Sequence, residues 1–348
     1  MGFKAANADE IAFEKGTFNE ILAKAKDQNK IVMIDFVTDW CIWCKHLDMR
    51  VYNNSDVVEY ANAHQINWKT DAEKEGKDLA KKYGVSGYPT LVFIDSDGNE
   101  IDKIVGFYPA PDFLVNIKKI NDRKSTLAYM LETYNADKLN LKANLDLANK
   151  LMEMGKGEEA KTYLSYIIQQ DASNSAGYTD DAELFMAMME VKDKKADAYI
   201  SEVNGLLEKY SSTNLDKDAK IFLSDKYSEV KNDEKALATL NELMQKYPKD
   251  DMVNFYTGQY YLGKARKVNG DSAATVENYQ EAIGNVQKSM QYFVGGIFEA
   301  SAANVMADLY YKMGDKENAR KSIDRAIQLW PDNKTYNKTK DKVYSSAK

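Results

Sequence analysis

The chain has 348 residues, of which 44% are hydrophobic, 29% charged and 11% aromatic, with a formal charge of −7 at pH 7. That length suits about two domains of ordinary size, each long enough to bury a core. The acidic balance and the lack of a Lys/Arg-dense tract argue against nucleic acid as a partner. No apolar run approaches the roughly 20 residues of a membrane helix, so no membrane span is expected. Met1-Gly2-Phe3-Lys4 is not followed by an apolar segment of about 7–15 residues, so the start does not read as a signal peptide.

Residues 9 to about 122 alternate helix and strand signals. Thr17 and Glu20 form a capping box ahead of a helix carrying Phe18, Ile21, Leu22 and Ala25, which Asn29-Lys30 ends. Ile31 to Val37, rich in β-branched residues, reads as a buried central strand. A helix then opens at Cys41 and runs to about Tyr52, followed by a helical stretch from Asp56 to Ala63. Ile66 to Thr70 reads as a strand and Lys77 to Tyr83 as a short helix, with Glu73, Lys74, Glu75 and Lys77 as a solvated loop and helix start. Thr90 to Ile94 and Glu100 to Val105 are strands joined by a hairpin turn at Asp97-Gly98, and Pro111 to Ile120 closes the unit as a helix. Crossovers plus a terminal hairpin predict a mixed sheet flanked by helices.

From residue 123 to 348 no strand signal survives. Apolar residues recur at helical spacing, and a longer period lies over them. Met306, Ala307, Tyr310, Ala319, Ile323, Ala326 and Pro331 match Ser224, Tyr227, Ala236, Leu240, Leu243 and Pro248, and again Ala148, Leu151, Ala160, Leu164 and Ile167. The turns of these three units are Met313-Gly314-Asp315, Lys231-Asn232-Asp233 and Met154-Gly155-Lys156. The stretches 178–210 and 252–294 are divergent units, the second with a longer loop at Asn269-Gly270-Asp271. Stacked helix pairs of this kind bury small residues at their crossings and leave a concave surface for a protein partner.

Both cysteines of the chain lie in Trp40-Cys41-Ile42-Trp43-Cys44-Lys45, directly after the central strand. A helix N-terminus presents unpaired N–H groups and partial positive charge, which stabilise a thiolate at its first residues. A second thiol three residues on is close enough to resolve a mixed disulfide. Structural zinc needs four ligands, and His46 and His64 are the only histidines and form no spaced pair, so redox chemistry is the stronger reading. His46 and His64 read as surface residues, and Lys45 as a solvated charge.

With Asp35-Phe36 before Trp40-Cys41-x-x-Cys44-Lys45, then Tyr83-Gly84-Val85-Ser86-Gly87-Tyr88-Pro89-Thr90 and Gly106, the first third resembles the thioredoxin family. The Asp-Trp-Cys-x-x-Cys-Lys form is similar to the thioredoxin-like domains of exported bacterial thiol–disulfide proteins, including the C-terminal domain of the reductase DsbD. The helical remainder resembles tetratricopeptide repeats. The resemblance implies a thioredoxin fold at 9–122 and an all-α tetratricopeptide-like solenoid at 123–348. It further implies Cys41 as exposed nucleophile, Cys44 as buried resolving thiol, and Asp35 as the buried acid that takes the Cys44 proton. Pro89 is then in a cis peptide facing the cysteines, and the Tyr88 backbone pairs with a bound substrate strand. Trp40, packed over the site, and Trp43, exposed on the outer turn, complete the substrate-binding set. Three departures stand out: Ile42-Trp43 between the cysteines in place of Gly-Pro, Met49 where the family's helix-kinking proline belongs, and extra residues before Tyr83, which leave Lys69 as the nearest candidate for the lysine beside the acid.

The activity so implied is thiol–disulfide exchange, reducing a protein disulfide, with electrons from an upstream thiol donor, no metal or organic cofactor, and a protein partner on the repeats. Two alternatives stay open. One is a protein-binding repeat module whose thioredoxin-like part is a scaffold or redox sensor; the other is a disulfide isomerase. The resemblance and the absence of stray cysteines favour the periplasm or another exported location, and the cytoplasm stays open.

Overall fold

The computed structural model describes residues 10–189, 195–210, 213–293 and 295–345. The domain start at residue 9, the Met1-Gly2-Phe3-Lys4 reading and residues 190–194 of the 178–210 repeat lie outside the described residues, as does the last residue of 252–294.

The strands that are apolar on both faces lie in the middle of one sheet, as burial on both sides requires. Strand β2 (Ile31–Val37) pairs antiparallel with β4 (Thr90–Ile94), Val32 opposite Ile94 and Phe36 opposite Thr90. On its other side β2 runs parallel to β3 (Gln65–Asp71), with Asp35 opposite Lys69. The edges are β1 (Phe13–Glu14), parallel to β3, and β5 (Glu100–Val105), antiparallel to β4, giving the order β1-β3-β2-β4-β5. The two-residue β1 is too short to carry a period and was not expected.

Alternation along β2 assigns its side chains to two cores. Val32, Ile34 and Phe36 join Ile66, Trp68, Val92 and Ile94 beneath α1 (Phe18–Gln28) and α4 (Lys77–Lys82). Met33 joins Leu91, Phe93, Leu47, Val51 and Phe113 beneath α2 (Ile42–Arg50), α3 (Ser55–His64) and α5 (Ala110–Asn121). The capping box expected at α1 is present, Thr17 accepting from the Glu20 N–H and Glu20 from that of Thr17.

The chain divides into two compact units, Met1–Met189 and Glu190–Lys348. Besides the sheet, the first holds α6 (Leu127–Ala136), α7 (Leu141–Glu153), α8 (Gly157–Gln170) and α9 (Thr179–Met189). Here α7 is tied to the sheet by a buried ion pair: Lys150 meets Asp102 of β5, with side chains 5% and 1% exposed. Asp102 also accepts from Ser125 Oγ at 3.1 Å.

The second unit holds α10 (Ala196–Lys209), α11 (Asp216–Glu229), α12 (Asp233–Lys246), α13 (Asp251–Gly270), α14 (Val276–Met290), α15 (Ile297–Lys312), α16 (Lys316–Leu329) and α17 (Lys334–Ser345). The expected turns separate α7 from α8, α11 from α12 and α15 from α16, with Gly155, Lys231 and Gly314 in the left-handed region that ends a helix. Ala148, Ala160, Ala236, Ala307, Ala319 and Ala326 are fully buried, as close helix crossings require. One boundary differs: Asn269 and Gly270 are the end of a 20-residue α13, and the loop begins at Asp271. Among the described residues no helix is long and apolar enough to cross a membrane.

Candidate active site

The pairing of Phe36 with Thr90 places the C-terminal end of β2 beside the N-terminal end of β4, so the segment leading to Cys41 and the Tyr88-Pro89 turn share one end of the sheet. The Tyr88–Pro89 peptide is cis. Trp40 and Tyr88 touch edge to face, ring centroids 5.7 Å apart, which joins the two segments.

Cys41 is the N-cap of α2. Its Sγ accepts the Cys44 N–H at 3.0 Å, and the two cysteines form a disulfide with Cα atoms 5.3 Å apart. The same N–H and the positive end of the helix are placed to stabilise negative charge on Cys41 Sγ once the bond opens. Cys41 is only 3% exposed and Cys44 2%, so the expectation of an exposed Cys41 does not hold in the disulfide form: bonding to Cys44 turns its sulfur back over the helix end.

Asp35 is 1% exposed, on the face of β2 that meets α2. Cross-strand register brings Lys69 beside it, Nζ 3.5 Å from Oδ2, and Asp48 of α2 pairs with the same ammonium. Neither Asp35 oxygen makes a hydrogen bond of full geometry, and neither does the buried Tyr52 hydroxyl close by. Burial is the largest influence and raises the Asp35 pKa from 3.8 to about 6, against the opposing pull of Lys69; Asp48 adds to the rise. Burial would lower the Lys69 pKa, yet the two carboxylates raise it overall. Lys69 is therefore a charged partner for both acids. It also lies over the rings of Phe13 (4.4 Å) and Tyr52 (5.1 Å).

The two tryptophans exchange the places expected of them. Trp40 is 63% exposed, while Trp43 is partly buried against Phe107, centroids 5.5 Å apart. Phe107 follows β5 and folds back over α2, where it also meets His46 at 4.7 Å. His46 is thus no plain surface residue: burial, then the neighbouring Arg50, lowers its pKa to about 4, so the ring is neutral near pH 7. His64 does lie at the surface, stacked on Tyr60.

Asp48, Tyr52 and Phe107 were not singled out from sequence, and Glu73 was read only as part of a solvated loop, whereas it accepts the Trp40 indole N–H. Asp48 had a usable signal, since it lies one helical turn after Cys44, and Leu47 and Val51 mark that side of the helix as buried. Tyr52 and Phe107 reach the site only through tertiary folding and had none.

Comparison with known proteins agrees with this geometry. Residues 18–121 match the family model of the thioredoxin-like domain, and residues 306–333 that of the tetratricopeptide repeat. The "Thiol:disulfide interchange protein DsbD" of Colwellia psychrerythraea is 30% identical over 123 residues, 33% of this chain and 20% of that protein. The "Protein disulfide isomerase-like 2-2" of Oryza sativa subsp. japonica is 39% identical over 106 residues, 29% of this chain and 26% of that protein. The chain thus spans about a fifth of the length of the DsbD protein it matches. The "Solution Structure of a putative disulphide-isomerase from Bacteroides thetaiotaomicron" is 43% identical, covering 33% of this chain and 96% of that one, with a TM-score of 0.31. Residues 18–121 thus form a thioredoxin-like domain, and a tetratricopeptide-like repeat region follows them.

Proposed function

We propose that this protein is a thiol–disulfide oxidoreductase that reduces protein disulfides. The observation that carries the reading is Cys41 at the N-cap of α2, its Sγ accepting the Cys44 N–H, on a sheet whose central strand holds a buried acid with a pKa of about 6. The Cys41 thiolate attacks one sulfur of a substrate disulfide; that S–S bond breaks, and one substrate thiol leaves with a proton from solvent. The mixed disulfide lies against the Tyr88-Pro89 turn, with Trp40 and Trp43 at its flanks. Cys44 then loses its proton to Asp35 and attacks Cys41 Sγ. The second substrate thiol departs, the Cys41–Cys44 disulfide closes, and two electrons have passed to the substrate. A dithiol donor upstream restores the pair. In this reading, with its similarity to DsbD thiol:disulfide interchange proteins, the protein works in a periplasmic or otherwise exported setting and takes part in redox balance there.

Functionally we divide the chain at 122/123, just after α5, although the first compact unit continues to Met189. The repeats bind a protein partner in this reading. A cavity of about 260 Å³ between α11, α12 and α13, lined by Asp225, Tyr256, Gln259, Tyr260 and Lys267 among others, supports it.

The test is single-turnover reduction of insulin by the reduced full chain. Wild type reduces it, Cys41→Ser does not, and Cys44→Ser accumulates the mixed disulfide. A Cys41→Ser chain as active as wild type overturns the reading. If that variant keeps every partner interaction while wild type shows no exchange, the repeats as a binding module are the better account.

A further inference from the structure

Between β3 and α4, in the segment that leads to Tyr83, residues 72–76 form a loop. The loop is braced from within. The Gly76 N–H donates to the Asp71 carbonyl at 2.8 Å, the Glu73 N–H to Asp71 Oδ1 at 2.9 Å, and the Asp71 N–H to Glu75 Oε1 at 3.0 Å. A Cβ at Gly76 would stand 2.6 Å from Thr70 Oγ1 and 2.9 Å from the Asp71 carbonyl oxygen, so this close return needs glycine.

From this base two side chains cross to the residues that lead into Cys41. Glu73 Oε2 accepts the Trp40 indole N–H at 3.0 Å. Lys74 Nζ meets Asp39 Oδ2 at 3.0 Å and Asp71 Oδ2 at 2.8 Å. Trp40 is well exposed, and an exposed indole without an anchor samples several rotamers. Here one edge is fixed by Glu73 and one side by the Tyr88 ring, next to the cis peptide and one residue from the nucleophile.

We propose that the 72–76 loop is a substrate-positioning element: Glu73 holds Trp40 against Tyr88 as a preorganised apolar ledge beside Cys41. The ledge receives the polypeptide segment that flanks a substrate disulfide, chiefly an apolar side chain next to the cysteine. Glu73 is a positioning residue; it acts through Trp40 and touches neither sulfur. Fixing the indole beforehand removes its ordering cost from binding. A small hydrophilic disulfide has no flanking chain to place on the ledge.

This inference rests on the oxidoreductase reading, and the experiment separates the two. Steady-state reduction of insulin and of hydroxyethyl disulfide, with dithiothreitol as the electron donor and its uncatalysed rate subtracted, is compared for wild type, Glu73→Ala and Glu73→Gln, with the reduction potential of each. Glu73→Ala raises KM for insulin about three- to tenfold, the scale of one released side chain. It leaves kcat, the hydroxyethyl disulfide rate and the potential within about twofold of wild type or its equivalent. Glu73→Gln, whose amide oxygen accepts the same indole N–H, restores the insulin KM. An unchanged insulin KM in Glu73→Ala overturns the proposal, as does equal slowing on both substrates or a Gln variant no better than Ala. A wild-type chain that reduces neither substrate overturns the oxidoreductase reading, and this proposal with it.

Discussion

Replacing Asp35 by asparagine should stabilise the fold at neutral pH while slowing its chemistry. An acid whose folded pKa lies above its unfolded value keeps its proton longer in the native state, so its ionisation weakens the fold. For Asp35 this weakening is absent below pH 3.8, grows as the pH rises towards about 6, and is complete above that. The interval from 3.8 to about 6, at about 1.4 kcal/mol per pH unit, is on the order of 3 kcal/mol. The amide has the shape of the protonated acid, so the two proteins should be nearly equal in stability near pH 3.5. Lys69 keeps Asp48 as its partner in the variant, which limits the loss of ion pairing. Urea unfolding of the oxidised proteins between pH 3.5 and 8 measures this. Tryptophan fluorescence is a suitable probe, because Trp40, Trp43 and Trp68 lie in the thioredoxin-like part and only Trp330 lies outside it. The advantage of Asp35→Asn should emerge with pH and level off above about 6. A difference that is flat across this range, or a variant less stable at pH 8, would refute the assignment of a buried, reluctant acid. In the same variant, release of the mixed disulfide should slow and lose its pH dependence near 6.

Lys150→Met leaves the Asp102 carboxylate buried without its ion-pair partner and should cost about 3–5 kcal/mol in hydrogen-exchange or urea measurements on the first compact unit. Adding Asp102→Leu should recover much of that, because the double change removes the stranded charge. Gly263, in the interior of α13 with open space where a Cβ would stand, should stabilise the second unit by about 0.5–1 kcal/mol when changed to alanine; an unchanged or lowered urea midpoint would contradict the helix account.

The sheet was legible because β2 and β4 are buried on both faces and read as apolar runs that no surface element would tolerate, interrupted in β2 only by Asp35. The repeats were legible because alanines must recur wherever helices cross closely. Lys69 was reached only through the family resemblance: its place beside Asp35, which the structure bears out, is set by β2–β3 register, a relation between distant segments that no local pattern records. His46 shows the same limit. Nothing in the spacing of α2 announces that Phe107, sixty-one residues on, closes over it. The exchange between Trp40 and Trp43 has the same origin, since Phe107 covers one and the 72–76 loop holds the other at the surface.

The most direct test of the account is the equilibrium reduction potential of the Cys41–Cys44 pair in the full chain, titrated against a dithiol buffer. The account predicts a reversible two-electron couple near thioredoxin's, about −270 mV, suited to passing electrons on to protein disulfides. A couple at about −180 mV or higher would contradict the reducing role and point to oxidation or isomerisation, and a pair with no reversible disulfide would remove the enzymatic reading altogether.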